Sequence, residues 1–165
     1  MEILHIIISL TILIYSSILH EIAHGYVAYR LGDPTAKLLG RLTLNPVKHI
    51  DPFMSIIMPL ILYLTSPIIF GGAKPVPVDP FNLKDGRKDI AIVSLSGPMT
   101  NILLAILASS LIHIFYPNMS LSMVSSSSII GFCLSSLVTL NLLLAIFNLI
   151  PIPPLDGSKV LASIL

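Results

Sequence analysis

Charge is what this sequence is short of. Only 10% of its 165 residues are Asp, Glu, Lys or Arg, against about 25% in ordinary soluble domains. The net charge of +1 leaves no basic face of the kind that nucleic acid requires, so a nucleic-acid partner is excluded. Cysteine is nearly missing: Cys133 stands alone, which rules out an intrachain disulfide and any cysteine-built zinc cluster. A metal site would have to use His and carboxylate ligands. The N-terminal Met1 and Glu2 lack the positive segment of a secretory signal peptide, and the apolar run behind them is too long for one. That run reads as a retained transmembrane helix.

What fills the space is apolar. The chain is 55% hydrophobic with a mean hydropathy of +0.94, the composition of an integral membrane protein. A spanning helix needs about 20 apolar residues, and four stretches approach that: Ile3–Leu31, Phe53–Phe70, Ile90–Tyr116 and Ile129–Ile150. The first two are separated by the polar, turn-rich "GDPTAKLLGRLTLNPVKHIDP", and the second is followed by "GGAKPVPVDPFNLKDGRKD". There Pro75, Pro77 and Pro80 disfavour helix and favour an extended path. The uncharged "PNMSLSMVSSSS" reads as a loop, and "NLIPIPPLDG" breaks the last long helix before a short helical tail. No repeat and no second domain are visible, so residues 1–165 read as a single domain.

Positive charge predicts the orientation. Arg30, Lys37, Arg41 and Lys48 follow the first stretch and none precedes it, so the N-terminus is expected outside and residues 30–50 in the cytoplasm. Lys74, Lys84, Arg87 and Lys88 precede the third stretch, which puts that loop on the same side. Asp51–Asp79 must then enter the membrane and return, as a helical limb (53–70) and an extended limb (71–79) whose backbone is covered by protein. The expected fold is an all-α polytopic membrane protein. It has three core transmembrane helices, with a re-entrant helix and extended loop between the first and second. A full span at 53–70 would instead place Asp156 on the face opposite the first helix's inner end.

That inner end holds the informative motif, HEIAH, with His20, Glu21 and His24. Two His one turn apart on a helix can grip one metal ion, and the adjacent Glu then lies near the ion's open position, ready to take a proton from water. Ionisable side chains at membrane depth cost roughly 2.5–3.5 kcal/mol each, and three within five residues imply a use for them. Two His leave a catalytic zinc one protein ligand short. His5 lies roughly 22 Å away along the same helix at 1.5 Å per residue, which is too far. His49, beside Asp51, and His113 fit interfacial or hydrogen-bonded roles better. Asp156, behind Pro151, Pro153 and Pro154, is better placed. It has an alternative as an N-cap, since "LDG" after a proline break commonly starts a helix.

In these residues the chain resembles the site-2 protease family of intramembrane zinc metalloproteases. HEIAH matches the family's HExxH, and "NLIPIPPLDG" (Asn148 to Gly157) matches its NxxPxxxLDG. "SGPMTN" (Ser96 to Asn101) resembles the Gly-containing segment beside the active site, and "FGGAKPVPV" resembles the membrane-dipping loop before it. No PDZ-like or CBS-like insert is seen, which places the resemblance with the compact branch. The resemblance implies that His20, His24 and Asp156 bind one Zn²⁺ and that Glu21 is the catalytic acid/base. It also implies substrates that are single-pass membrane proteins cut within or near the bilayer. The expected setting is a prokaryotic cell membrane, with the active site toward the cytoplasm; a homo-oligomer is compatible with the reading. The chain stops soon after Gly157, where family members often continue into another helix, so a C-terminal truncation is expected.

Substrate-binding candidates are Asn101 and Asn148, two amides at membrane depth, and Gly72 and Ala73, whose edge could pair with an unwound substrate by strand addition. For the amides, interhelical hydrogen bonding is the alternative. Asn45, His49 and Asn148 are candidate linings of a water path. Gly97 and Pro98 are assigned to close helix packing. Two competing classes are a metal- or proton-handling transporter and a non-catalytic scaffold for membrane helices. The first would be expected to spread polar residues over several helices and show a repeat; the second would have lost Glu21 or a ligand.

Overall fold

The computed structural model describes residues 2–49 and 74–165. Three long helices form its frame: α1 (Glu2–Leu31), then, after the short α2 (Thr35–Leu38), α3 (Arg87–Phe115), and, after α4 (Leu121–Ser127), α5 (Ile129–Leu149). The chain closes with α6 (Asp156–Ile164). The three long helices are long and apolar enough to cross a membrane, and no strand occurs among the described residues. The expected core helices are therefore present. The helical limb expected at 53–70 lies outside the described residues, as do Gly72 and Ala73. Residues 74–79, the described part of the expected extended limb, are non-helical.

Local signals explain the boundaries. α1 closes where the Gly32 and Asp33 amides bond back to the Tyr29 and Ala28 carbonyls, the paired bonds that end many helices. α3 starts earlier than the apolar run suggests because the Asp89 carboxylate reaches back to the Asp85 amide. The Ser-rich segment read as a loop contains α4, a correction with two causes. Ser120 caps it by accepting from the Met123 amide, and Val124 anchors it in an apolar cluster with Ala108, Ile112, Leu134 and Val138. Ser128 caps α5 in the same way through the Gly131 amide.

α3 is the central helix, packed against α1, α5 and α6. The bundle is inverted relative to a water-soluble domain. Ile6, Leu10, Leu107, Ile114, Leu143 and Ile146 are exposed, whereas Ser16, His20, His24, Asn101, Asn141 and Asp156 are buried. Outward hydroxyls satisfy themselves within their own helix: Thr11 and Ser110 donate to the carbonyls of Ile7 and Ile106. Direction follows from the cross-links. Proceeding from His20 to His24 along α1, the partners on α3 run backward from Asn101 to Val93, so the two helices are antiparallel. Ser16 meets Asn141 and His20 meets Asp156, so α1 and α5 run parallel.

The segments flanking the undescribed stretch gather at one end of this bundle. The Lys74 amide donates to the His49 carbonyl at 2.8 Å. Asp33, fully buried, accepts from the Thr35 amide at 3.0 Å, the Asp79 amide at 2.8 Å and the Asn82 side chain at 3.1 Å. Burial alone would raise the pKa of Asp33; the bonds from Thr35, Asp79 and Asn82 outweigh it and hold the carboxyl below its ordinary value. This clamp ties residues 79–82 to the end of α1. Single cysteines at Lys48 and Lys84, in a Cys133→Ser background, are therefore expected to react with an impermeant thiol reagent from one side of the membrane. A cysteine at Ser126 should react from the other. Opposite-sided labelling of positions 48 and 84 would contradict the arrangement.

Candidate metal centre

The core of the site is three atoms that face one point. His20 Nε2 and His24 Nε2 are 3.0 Å apart, and Asp156 Oδ2 lies 3.1 Å from each. All three residues are buried. Each is delivered by a different local device. The two His are one turn apart on α1, as HEIAH requires. Asp156 is the first residue of α6, and the N-cap position belongs to Leu155, which makes no side-chain cap. The Asp156 carboxylate thus turns toward the His pair rather than capping its own helix, and Lys159 Nζ holds its second oxygen at 3.2 Å.

The donor chemistry fits a small cation. His20 Nδ1 lies 2.6 Å from Asn101 Oδ1, and His24 Nδ1 lies 2.7 Å from the Val93 carbonyl. Both partners only accept, so both Nδ1 atoms carry the proton, and a neutral ring then presents a bare Nε2 lone pair. Two lone pairs and a carboxylate oxygen converging at this range repel one another unless a positive charge sits among them. Ligand atoms around a tetrahedral zinc ion stand roughly 3.3 Å apart for bonds of about 2.0–2.1 Å, close to the spacing seen here.

Gly97 makes the convergence possible. A Cβ at this position of α3 would lie 2.5 Å from His24 Nε2 and 2.6 Å from His20 Nε2, inside the space the ligand atoms share. The packing role expected for Gly97 is thus packing against the ligands themselves.

Glu21 borders the same space. It lines a cavity of about 310 Å³ together with His20, His24, Ser94, Asn148 and Asp156. Its Oε2 accepts the Val76 amide at 2.8 Å. Val76 can come this close because α1 has a glycine opposite: a Cβ on Gly25 would meet Val76 Cγ1 at 2.7 Å. Pro75 and Pro77 have no N–H, so Val76 supplies the donor at this point of the segment.

Other expected residues scatter. Asn148 is half-buried on the cavity wall, and its amide donates to the Leu144 carbonyl. Asn101 has no exposed surface and is turned to His20. Asn45 and His49 are not on the cavity: Asn45 accepts from the Val47 amide, and His49 is buried with Nε2 2.8 Å from the Thr43 carbonyl. His5 stacks on Phe132 at 4.1 Å. Four partners escaped sequence reasoning. Lys159 stands one turn beyond Asp156, a spacing that could have flagged it; Ser16 and Asn141 are polar residues inside apolar runs. Val76 acts through its backbone, which leaves no mark in the side-chain pattern.

Comparison with known proteins bears on the same residues. The sequence profile of peptidase family M50 matches residues 108–165, which include Asp156. A Bacillus subtilis protein named "Putative zinc metalloprotease YwhC" is 42% identical over 149 residues, covering 90% of this chain and 65% of the relative. The Rip2 protein of Mycolicibacterium smegmatis, which carries the same description, is 34% identical over 139 residues, 84% of this chain and 50% of the relative. A Methanocaldococcus jannaschii protein, MJ0611, again under that description, is 36% identical over 104 residues, 62% of this chain and 50% of the relative. The chain therefore spans between half and two thirds of the length of these relatives. No solved structure matches it. The chain is thus similar to peptidase family M50, the site-2 protease family, over residues 108–165, and to proteins named putative zinc metalloproteases over most of its length.

Proposed function

We propose that this chain carries the catalytic centre of an intramembrane zinc metalloprotease, with single-pass membrane proteins as substrates. One observation carries the reading: two imidazoles and a carboxylate converge on one point, in a bundle with a lipid-compatible exterior, with a second carboxylate at the edge of the adjoining cavity. His20, His24 and Asp156 would hold one Zn²⁺. When bound, zinc lowers the pKa of water and polarises a carbonyl. Glu21 is the group placed to take the proton of the attacking water and to pass it to the leaving amine. The Val76 amide holds its carboxylate at the cavity while that happens.

Orientation follows from charge. Arg30, Lys37, Arg41 and Lys48 support a cytoplasmic C-terminal end of α1, from which water and the substrate backbone would reach the site. The lipid bilayer is the surrounding solvent. A transporter finds less support, because the ionisable residues at depth are concentrated in one centre.

Three outcomes test this reading. Purified protein should contain about one zinc ion per chain by elemental analysis; metal-free protein that takes up none would end the proposal. Glu21→Gln should keep its zinc and slow cleavage of a co-expressed membrane substrate by roughly 10²–10⁴-fold, the usual contribution of a general base. Cleavage at the wild-type rate would remove Glu21 from that role. Gly97→Ala should weaken zinc binding on the order of tenfold or more, because overpacking of this kind costs about 1–3 kcal/mol. Unchanged affinity would show that α3 yields easily.

A further inference from the structure

Behind the centre, a line of polar side chains crosses all three long helices. Asn101 Nδ2 donates to Asn141 Oδ1 at 2.8 Å. Asn141 Nδ2 donates to the Leu137 carbonyl at 2.9 Å and to Ser16 Oγ at 2.9 Å. Asn101 and Asn141 have no exposed surface, and Ser16 has 2%. We propose that Asn101, oriented by Asn141, is a positioning residue for the metal centre: it fixes the tautomer and ring direction of His20 and so sets how tightly the ion is held. This rests on the metal reading of the preceding subsection.

Side-chain polarity sets the tautomer of His20. An amide side chain has a donor end and an acceptor end, and turning it over exchanges them. Had Asn101 been turned, its NH₂ would face His20 Nδ1, the ring would carry its proton on Nε2, and the lone pair needed for a metal would be gone. What prevents the turn lies one step back. The Leu137 carbonyl can only accept, so Asn141 must present its NH₂ to α5's own backbone and its oxygen to Asn101. Asn101 must answer with its NH₂, which leaves its oxygen for His20. A backbone carbonyl on α5 thus dictates the protonation of a ligand on α1 through two amides. His24 needs no such relay, because the Val93 carbonyl sets its tautomer directly. Partners of this kind are worth about 10–100-fold in metal affinity.

The test is zinc affinity of the full-length chain in detergent, measured by competition with a chromophoric chelator, for wild type, Asn101→Asp, Asn101→Ala and Asn101→Leu. Absorption of the Co²⁺-loaded forms and melting of the metal-free forms are recorded alongside. Asp, buried with its second oxygen facing Asn141 Oδ1, takes a proton on that oxygen and so donates to Asn141 while offering its other oxygen to His20 Nδ1–H. Asn101→Asp should therefore stay within about threefold of wild type, while Asn101→Ala and Asn101→Leu should bind about 10–100-fold more weakly. Their Co²⁺ spectra should shift, and these losses should not track the melting temperatures. If Leu prevents folding, Ala and Asp carry the comparison. Ala binding as tightly as wild type, or Asp binding as weakly as Ala, would overturn the inference while leaving the zinc centre standing. Wild-type protein that takes up no metal would instead overturn the metal reading itself.

Discussion

Placing two imidazoles and a carboxylate within about 3.1 Å of one another, in an apolar bundle, is costly, and the rest of the fold is organised around that cost. A buried polar group without a partner loses its hydration and gains nothing in return. Each nitrogen and oxygen that faces away from the centre is therefore matched. Asn101 and Val93 take the two Nδ1 atoms, Lys159 takes the outer oxygen of Asp156, and the Val76 amide takes Glu21. The atoms that face inward cannot be matched by protein. They remain complementary to a cation, so a bound ion would contribute to the stability of the fold.

The same constraint governs the helix order. His20 and His24 lie toward the C-terminal end of α1, and Asp156 follows the C-terminal end of α5. They can meet only if these helices run the same way, with the antiparallel α3 between them in sequence. α3 then contributes no ligand to the metal point. It contributes proximity at Gly97 and the two acceptors, Asn101 and Val93, that point the ligands. A helix whose task is to approach closely and accept hydrogen bonds carries small and polar residues on one face and exposed Leu and Ile on the other. Ser94, Gly97, Asn101, Ala105 and Ala108 are among its buried residues, with Val93 and Ile112.

Much of this was legible in the sequence, unevenly. The spans were readable because a bilayer demands long apolar runs, and HEIAH was readable because its one-turn spacing has a direct chemical meaning. Asp156 was ambiguous from sequence alone: a carboxylate at a helix start serves equally well as a cap, and only tertiary placement separates the two uses. α4 was hidden because its apolar anchor, Val124, is a single residue among serines. Asn101 stood out as an amide in an apolar run, but its partner Asn141 was missed, because nothing in their spacing of 40 positions shows that they touch. Pairing across helices is set by packing, which a single sequence does not encode at any fixed period.

Backbone contacts account for the remaining difference, and they bear on how a substrate could enter. Residues 74–79 are held at one end by the His49 carbonyl and at the other by Asp33. Two prolines remove the amides on either side of Val76, so this short segment has few donors to offer a neighbouring strand. Of those it retains, the Lys74, Val76 and Asp79 amides are spent on the His49 carbonyl, Glu21 and Asp33. A peptide lying against this segment would thus find carbonyl acceptors in excess and would have to supply N–H groups of its own. Only an unwound backbone can do so, because in a helix those groups are already taken. If the chain acts as the protease proposed above, the prolines and the Glu21 contact together would favour substrate that has lost its helical hydrogen bonds before it reaches the metal centre.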